Sequence, residues 1–215
     1  MKIKLNLNIF LFIVLFFLTG QLEIYALVMV FALIHELSHL LCGVLLGFKV
    51  DTLRIIPFGF SIEFEPIIKD YNKKIFKSNI ISIKKIFVAL AGPMVNLCIV
   101  ILGIIMHVNE NIIYSNMLLV LFNLLPIYPL DGGRIIKNIM KIFFGNKKAN
   151  RDINLITNIV TIILTMFSSV LILVYKNLAI LAILIVVWIM TIKENKRYNT
   201  YNKLYKTIDK NYNYL

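Results

Sequence analysis

The strongest constraint on this chain of 215 residues is the grouping of its apolar residues into long, nearly charge-free blocks. A helix of about 20 such residues crosses the roughly 30 Å hydrocarbon core of a bilayer. Composition agrees: 60% of residues are hydrophobic and 16% charged, with a mean hydropathy of +0.84. An ordinary soluble domain is nearer half apolar and a quarter charged. The expected fold class is an all-α membrane protein of about six transmembrane helices, with a short β-hairpin-like segment at the membrane face.

The expected spans are about Leu7 to Gly20, Ile24 to Gly47, Ile86 to Met106, a segment from Ser115 into the break at Pro126 and Pro129, Ile153 to Tyr175, and Leu178 to Ile192. The first resembles a signal peptide behind Lys2 and Lys4, but no small-residue cleavage site follows and it reads as a retained span. Between Val50 and Phe64, β-formers mix with Pro57 and Gly59, which suggests a short hairpin. Asp70 to Lys85 is polar, basic and interfacial in character. Residues 1–192 thus read as one polytopic domain and 193–215 as a basic cytosolic tail. In the tail, Tyr201, Leu204, Tyr205 and Ile208 recur at helical spacing among lysines, which suits either an amphipathic surface helix or a solvated tail.

The net charge of +12 raises nucleic acid as a partner. The distribution of the charges removes that reading. The N-terminus, the loop after the second span, the segment after the fourth and the tail together hold 22 of the 23 basic residues. The other side holds Lys176, with Glu23 and Glu110. Positive loops stay in the cytosol, so both termini are expected there. Cys42 and Cys98 both lie in apolar segments, imply no disulfide framework, and read as small buried hydrophobes.

The second span carries His35-Glu36-Leu37-Ser38-His39. Positions i and i+4 share a helix face, so both imidazoles can reach one metal ion, and the intervening Glu36 is placed to accept a proton from a water that the metal activates. Ionisable groups within a membrane are costly and usually functional. The alternative is a polar cluster that hydrogen-bonds across the bundle. A catalytic zinc site takes three protein ligands and keeps one position open. Cys42 has a suitable side chain, but it sits one turn beyond His39 on the same helix and gives poor tetrahedral geometry. His107 falls at the far membrane surface. Asp131 is the better third ligand. It ends a proline-broken stretch, NLLPIYPLDGG from Asn123 to Gly133. Irregular backbone at membrane depth is tolerated where it lines a cavity or is buried in protein. The alternative for Asp131 is a helix cap followed by a Gly132–Gly133 turn.

HELSH in an early span with NLLPIYPLDGG in a later one resembles the site-2 protease family of intramembrane zinc metalloproteases, peptidase family M50. Ala91 to Asn96 (AGPMVN) is similar to that family's small-residue segment between the two motifs. The resemblance implies one zinc ion per chain held by His35, His39 and Asp131, with Glu36 catalytic. It implies a metalloendopeptidase acting on a membrane-associated protein substrate, with membrane inhibitor proteins as further partners. Asn123 is expected to supply an oxyanion donor or a clamp on the substrate backbone, with simple bonding to the broken helix as its alternative; Asn96 carries the same two readings. Entering from outside at Ile24, the second span places His35 about 16 Å deep at 1.5 Å per residue, so cleavage is expected near the cytosolic face.

Within the family, six spans with short ends and no PDZ insertion resemble the sporulation branch, which activates the mother-cell sigma factor pro-sigma-K. That implies a bacterial cell membrane, in this branch the one around the forespore. Relatives there often continue into a cytosolic CBS domain. About 23 residues follow the last span here, and they carry no expectation of nucleotide sensing. The rival classes are a non-catalytic metal-binding scaffold, which closes its site with four ligands, and a transporter, which often shows an inverted repeat absent from this sequence.

Overall fold

A computed structural model of the chain describes residues 2–5, 13, 14, 17, 18, 20, 22–56, 59–64, 75–176 and 178–212. It forms two compact units, residues 1–125 and 126–215.

The first unit is built on helix α1 (Leu22–Leu45). Its 24 residues reach about 36 Å, enough to cross a bilayer. The helix ends where Gly47 takes φ 84°, with Phe48 N–H donating to Gly43 O and Gly47 N–H to Val44 O (both 2.9 Å). This Schellman ending satisfies carbonyls that a helix otherwise leaves open. Lys84 Nζ closes another, donating to Leu46 O at 2.8 Å. A three-stranded sheet follows in the order β1 (Lys2–Leu5), β2 (Val50–Ile56), β3 (Gly59–Phe64). β1 runs parallel to β2, and β3 antiparallel to it. The sequence reading saw only the charges of Lys2 and Lys4. Their alternation with Ile3 and Leu5 is the period-two pattern of a strand.

Helix α2 (Ile75–Ile105) has 31 residues with Pro93 inside it. It begins well before the expected Ile86, so much of the basic stretch before that residue is helical. It ends in the same motif as α1, except that the left-handed position belongs to His107 (φ 52°). Val108 N–H donates to Gly103 O at 3.0 Å and His107 N–H to Ile104 O at 3.4 Å. Helix α3 (Glu110–Asn123) is capped by Asn109, whose side chain accepts from Asn111 N–H at 2.9 Å. It begins before the expected Ser115 and stops just ahead of the proline-rich break; its 14 residues reach about 21 Å, less than the roughly 30 Å of a bilayer core.

The second unit holds α4 (Asp131–Tyr175), broken at Gly145 (φ 78°, ψ 171°), and α5 (Leu178–Tyr212), whose helix runs without interruption through the expected end of the sixth span. A polar seam joins them. Thr161 and Thr191 hydroxyls bond at 2.8 Å, Asn154 Nδ2 donates to Asn195 Oδ1 at 2.6 Å, Asn195 Nδ2 to Asn158 Oδ1 at 2.9 Å, and Trp188 Nε1 to Thr165 Oγ1 at 3.1 Å.

Both units are inverted relative to a soluble protein. Ser82, Asn96, Asn116 and Thr157 are fully buried, while Leu37, Leu41, Ile101, Ile104, Ile163 and Leu173 are exposed. Lipid solvates apolar side chains, so polar and small residues supply the contacts between helices. Three helices among the described residues are long and apolar enough to cross a membrane: Leu22–Leu45, Ser78–Ile105 and Asp131–Val174. The first expected span, Leu7 to Gly20, lies largely outside the described residues.

Candidate metal centre

α1 places His35 and His39 on one face, and both are buried (3% and 2% exposed). Their Nε2 atoms converge to 3.1 Å, with the rings edge-on at an interplanar angle of 87°. The opposite nitrogen of each ring is held from α2. His39 Nδ1 donates to Val88 O at 2.6 Å, and His35 Nδ1 to Asn96 Oδ1 at 3.1 Å. A carbonyl only accepts, so the proton of a neutral imidazole resides on Nδ1 and the Nε2 lone pair faces inward. Two lone pairs facing one another at 3.1 Å repel unless a cation or proton lies between them. This is the arrangement of metal-ligating histidines, whose second nitrogen is fixed by a carbonyl or side-chain oxygen.

The surroundings also fit a metal. A Cβ at Gly92 would lie 2.5 Å from both His35 Nε2 and His39 Nε2. Glycine therefore keeps open the space at which the two nitrogens point. Val88, Gly92 and Asn96 recur every four residues and occupy one face of α2. Pro93 removes a donor from the helix ladder next to that face. The separation of 3.1 Å is one that two nitrogens, each about 2.0–2.1 Å from a single zinc ion, can span.

Asp131 belongs to the second unit, where it is buried (4% exposed) at the first position of α4. The N-cap is Leu130, so Asp131 does not hold the capping position that was its alternative reading. Arg134 Nη1 lies 3.6 Å from its carboxylate. The preceding loop folds tightly back: Leu130 N–H donates to Ile127 O at 2.8 Å, and Ile127 is fully buried. A Cβ at Gly133 would meet Ile127 C and O and Tyr128 N at 2.5 Å, so the second glycine of LDGG permits the fold-back. Tyr128 anchors the loop to both helices of its unit. Its N–H donates to Thr157 Oγ1 at 3.1 Å, and its hydroxyl accepts from Arg197 Nη1 at 2.8 Å. Arg197 in turn bonds Glu194 at 3.0 Å.

The remaining expected residues fall as follows. Glu36 is half-buried on α1, between the two histidines in sequence. Asn96 is fully buried and bonded to the His35 ring, a partner that the sequence reading had not assigned. Asn123 ends α3 and donates one amide hydrogen to Leu119 O at 3.1 Å, so that bond to its own helix is present. Cys42 is partly exposed and Cys98 exposed, both as free thiols. His107 closes the end of α2. Sequence reasoning named Gly92 only as part of the AGPMVN segment, without a role, and missed Val88. Val88 acts through its carbonyl, which no side chain announces. The four-residue spacing from Gly92 to Asn96, matching that of the histidines, was the available signal.

Fold, inverted polarity and a buried histidine pair together define a helical membrane protein with a candidate metal site. The chain belongs to peptidase family M50, whose sequence profile matches residues 23–111 and 105–168. It is similar to stage IV sporulation protein FB of Bacillus subtilis, 27% identical over 167 residues that make up 73% of this chain and 54% of that protein. It is also similar to a zinc metalloprotease of Methanocaldococcus jannaschii, 27% identical over 139 residues, 60% of this chain and 37% of the relative. The chain thus spans about half the length or less of these relatives. Among solved structures it shares the fold of the site-2 protease from Methanocaldococcus jannaschii, with a TM-score of 0.67, 22% identity and 89% of each chain covered. The family resemblance read from HELSH and the LDGG segment holds.

Proposed function

We propose that the chain is an intramembrane zinc metalloprotease that hydrolyses a peptide bond of a membrane-associated protein near the cytosolic face. The convergence of His35 and His39 Nε2 at 3.1 Å, with both Nδ1 atoms held and Gly92 opposite, carries this reading. His35, His39 and Asp131 would hold one zinc ion per chain, a nitrogen and oxygen donor set that leaves a position open. Zinc, when bound, makes water acidic near neutral pH and polarises a carbonyl. Glu36 takes the proton of the attacking water and returns it to the leaving amine. Asn123 commits one amide hydrogen to Leu119; an amide carries a second, which is offered to the oxyanion or the substrate backbone. Asn96 orients His35 instead of contacting substrate, as its bond to Nδ1 supports.

β3 stands at one edge of its sheet, and Phe64 at its end packs onto Gly43, one turn beyond His39 on α1. An unwound substrate adds as a further strand there, supplying the extended backbone that proteolysis needs. We place both termini in the cytosol from the basic loops, with about six spans in all. Similarity to a sporulation protein supports a sigma-factor precursor, pro-sigma-K, as substrate and the forespore membrane as location.

The test reconstitutes wild type and Glu36→Gln in liposomes with a panel of membrane-associated substrates that includes pro-sigma-K. Cleavage by wild type, abolished by chelator and by Glu36→Gln, is expected. Cleavage of other substrates but not pro-sigma-K would remove the sporulation role and leave the protease. Cleavage that persists in Glu36→Gln would sink the mechanism.

A further inference from the structure

A second concave site lies in the second unit, where α4 breaks. Gly145 (φ 78°, ψ 171°) interrupts the helix, and the chain restarts it at Asn146. The restarted turn and the distal part of α5 flank a half-open cavity of about 310 Å³, with its cations exposed at the rim. α4 contributes Lys147, Lys148 and Arg151; α5 contributes Tyr198, Tyr201 and Tyr205. Among the described residues that line it, none is acidic. The volume is at the small end of ligand sites.

The cations are held in place by their neighbours. Lys148 Nζ sits 4.2 Å from the Phe144 ring centroid and Lys147 Nζ 5.9 Å from that of Tyr205. Asp152 engages Arg151 at Nε, 2.9 Å away, and a guanidinium carries four further N–H donors. The amides of a first helical turn add a partial positive charge in the same place. A solvated basic face is convex and needs no aromatic walls. Here three cations and three tyrosines surround one cavity, which is the chemistry that binds a phosphate group.

Position selects among phosphates. Arg151 lies just before the apolar run that begins at Ile153. Tyr198 follows the end of the other apolar run, Ile192, by six residues, about 9 Å of helix. The cavity therefore starts in the headgroup layer that flanks a hydrocarbon core of about 30 Å. Basic pockets between helices at this level take anionic headgroups, and tyrosine is at home there.

We propose that this pocket binds a phosphate-bearing anion, supplied by the headgroup of an anionic phospholipid. The site is separate from the metal centre, and its test is read as binding, independent of proteolysis. The protein is reconstituted in nanodiscs of mixed phosphatidylglycerol and phosphatidylcholine, and retained lipid is counted by native mass spectrometry. Lys147→Gln/Lys148→Gln/Arg151→Gln is compared with Lys193→Gln/Lys203→Gln/Lys206→Gln, which loses the same charge from exposed positions that do not line the cavity. Thermal midpoint and zinc content establish that both variants fold. Retained phosphatidylglycerol should fall about tenfold or more in the pocket variant, as loss of three headgroup contacts implies, and stay near wild type in the control. Parallel samples receive ATP or inorganic phosphate. Tight retention of either, lost in the pocket variant without any lipid preference, would keep the phosphate site and transfer its ligand to a soluble source. Equal behaviour of the two variants toward every anion would overturn the proposal.

Discussion

At the scale of single residues, the two histidines are held in place by a small-residue segment and a backbone carbonyl of α2. Gly92 is absent from both signature motifs, yet a methyl there would sit 2.5 Å from the two nitrogens that face each other. Gly92→Ala should therefore lose zinc while the protein stays folded, as measured by metal content and thermal midpoint in detergent; normal zinc content in this variant would remove the role given to the glycine. Asn96 acts one step further out, through the His35 ring. Asn96→Leu should weaken zinc binding about 10- to 100-fold, read by competition with a chelator of known affinity. HELSH was legible because its spacing equals one helical turn. The carbonyl of Val88 was not, since a backbone acceptor has no sequence signature and its use depends on α2 lying against α1.

At the scale of elements, the proline-broken loop is set by its neighbours. Gly133→Ala would drive a Cβ into the backbone of Ile127 and Tyr128. Overpacking of that kind costs about 1–3 kcal/mol, so a lower midpoint of unfolding in mild detergent is expected, with zinc loss following from a displaced Asp131. Glu194, on the other side of the seam, adds a pH dependence. Burial pushes its carboxyl above the usual range, against the pull of Arg197 and Lys137. An acid raised in the folded state gives up stability as pH rises from its unfolded value through its folded one. The stability of wild type relative to Glu194→Gln should thus fall with rising pH in that window; a constant difference would contradict the assignment. Several elements escaped the sequence reading for physical reasons. β1 is four residues long and gains its strand state by pairing with β2, far away in sequence. The break at Gly145 depends on one left-handed glycine within an otherwise continuous helical pattern.

At the scale of the whole molecule, polarity is the organising feature: apolar side chains face out, and hydroxyls and amides form the seams. That inversion was legible in the apolar blocks, and the placement of 22 of 23 basic residues predicts orientation. With Cys42 and Cys98 replaced, a cysteine introduced at Thr207 should react with an impermeant thiol reagent from the cytosolic side, and one at Glu110 from the opposite side. Labelling of both from one side would reject the assigned topology. Helix starts were less legible, because α2 begins with polar turns and α3 with Glu110 and Asn111, ahead of the expected Ser115. Hydropathy marks where a chain meets lipid, and says little about where a helix starts.

In the proposed site, three buried side chains would hold one zinc ion, with Glu36 beside it as a proton carrier. Zinc content per chain, measured on purified wild type, His35→Ala, His39→Ala, Asp131→Ala and Glu36→Gln, tests it most directly. About one zinc is expected in wild type and in Glu36→Gln, and near-complete loss in the other three. Full zinc retention in Asp131→Ala, or loss in Glu36→Gln from a folded protein, would contradict it.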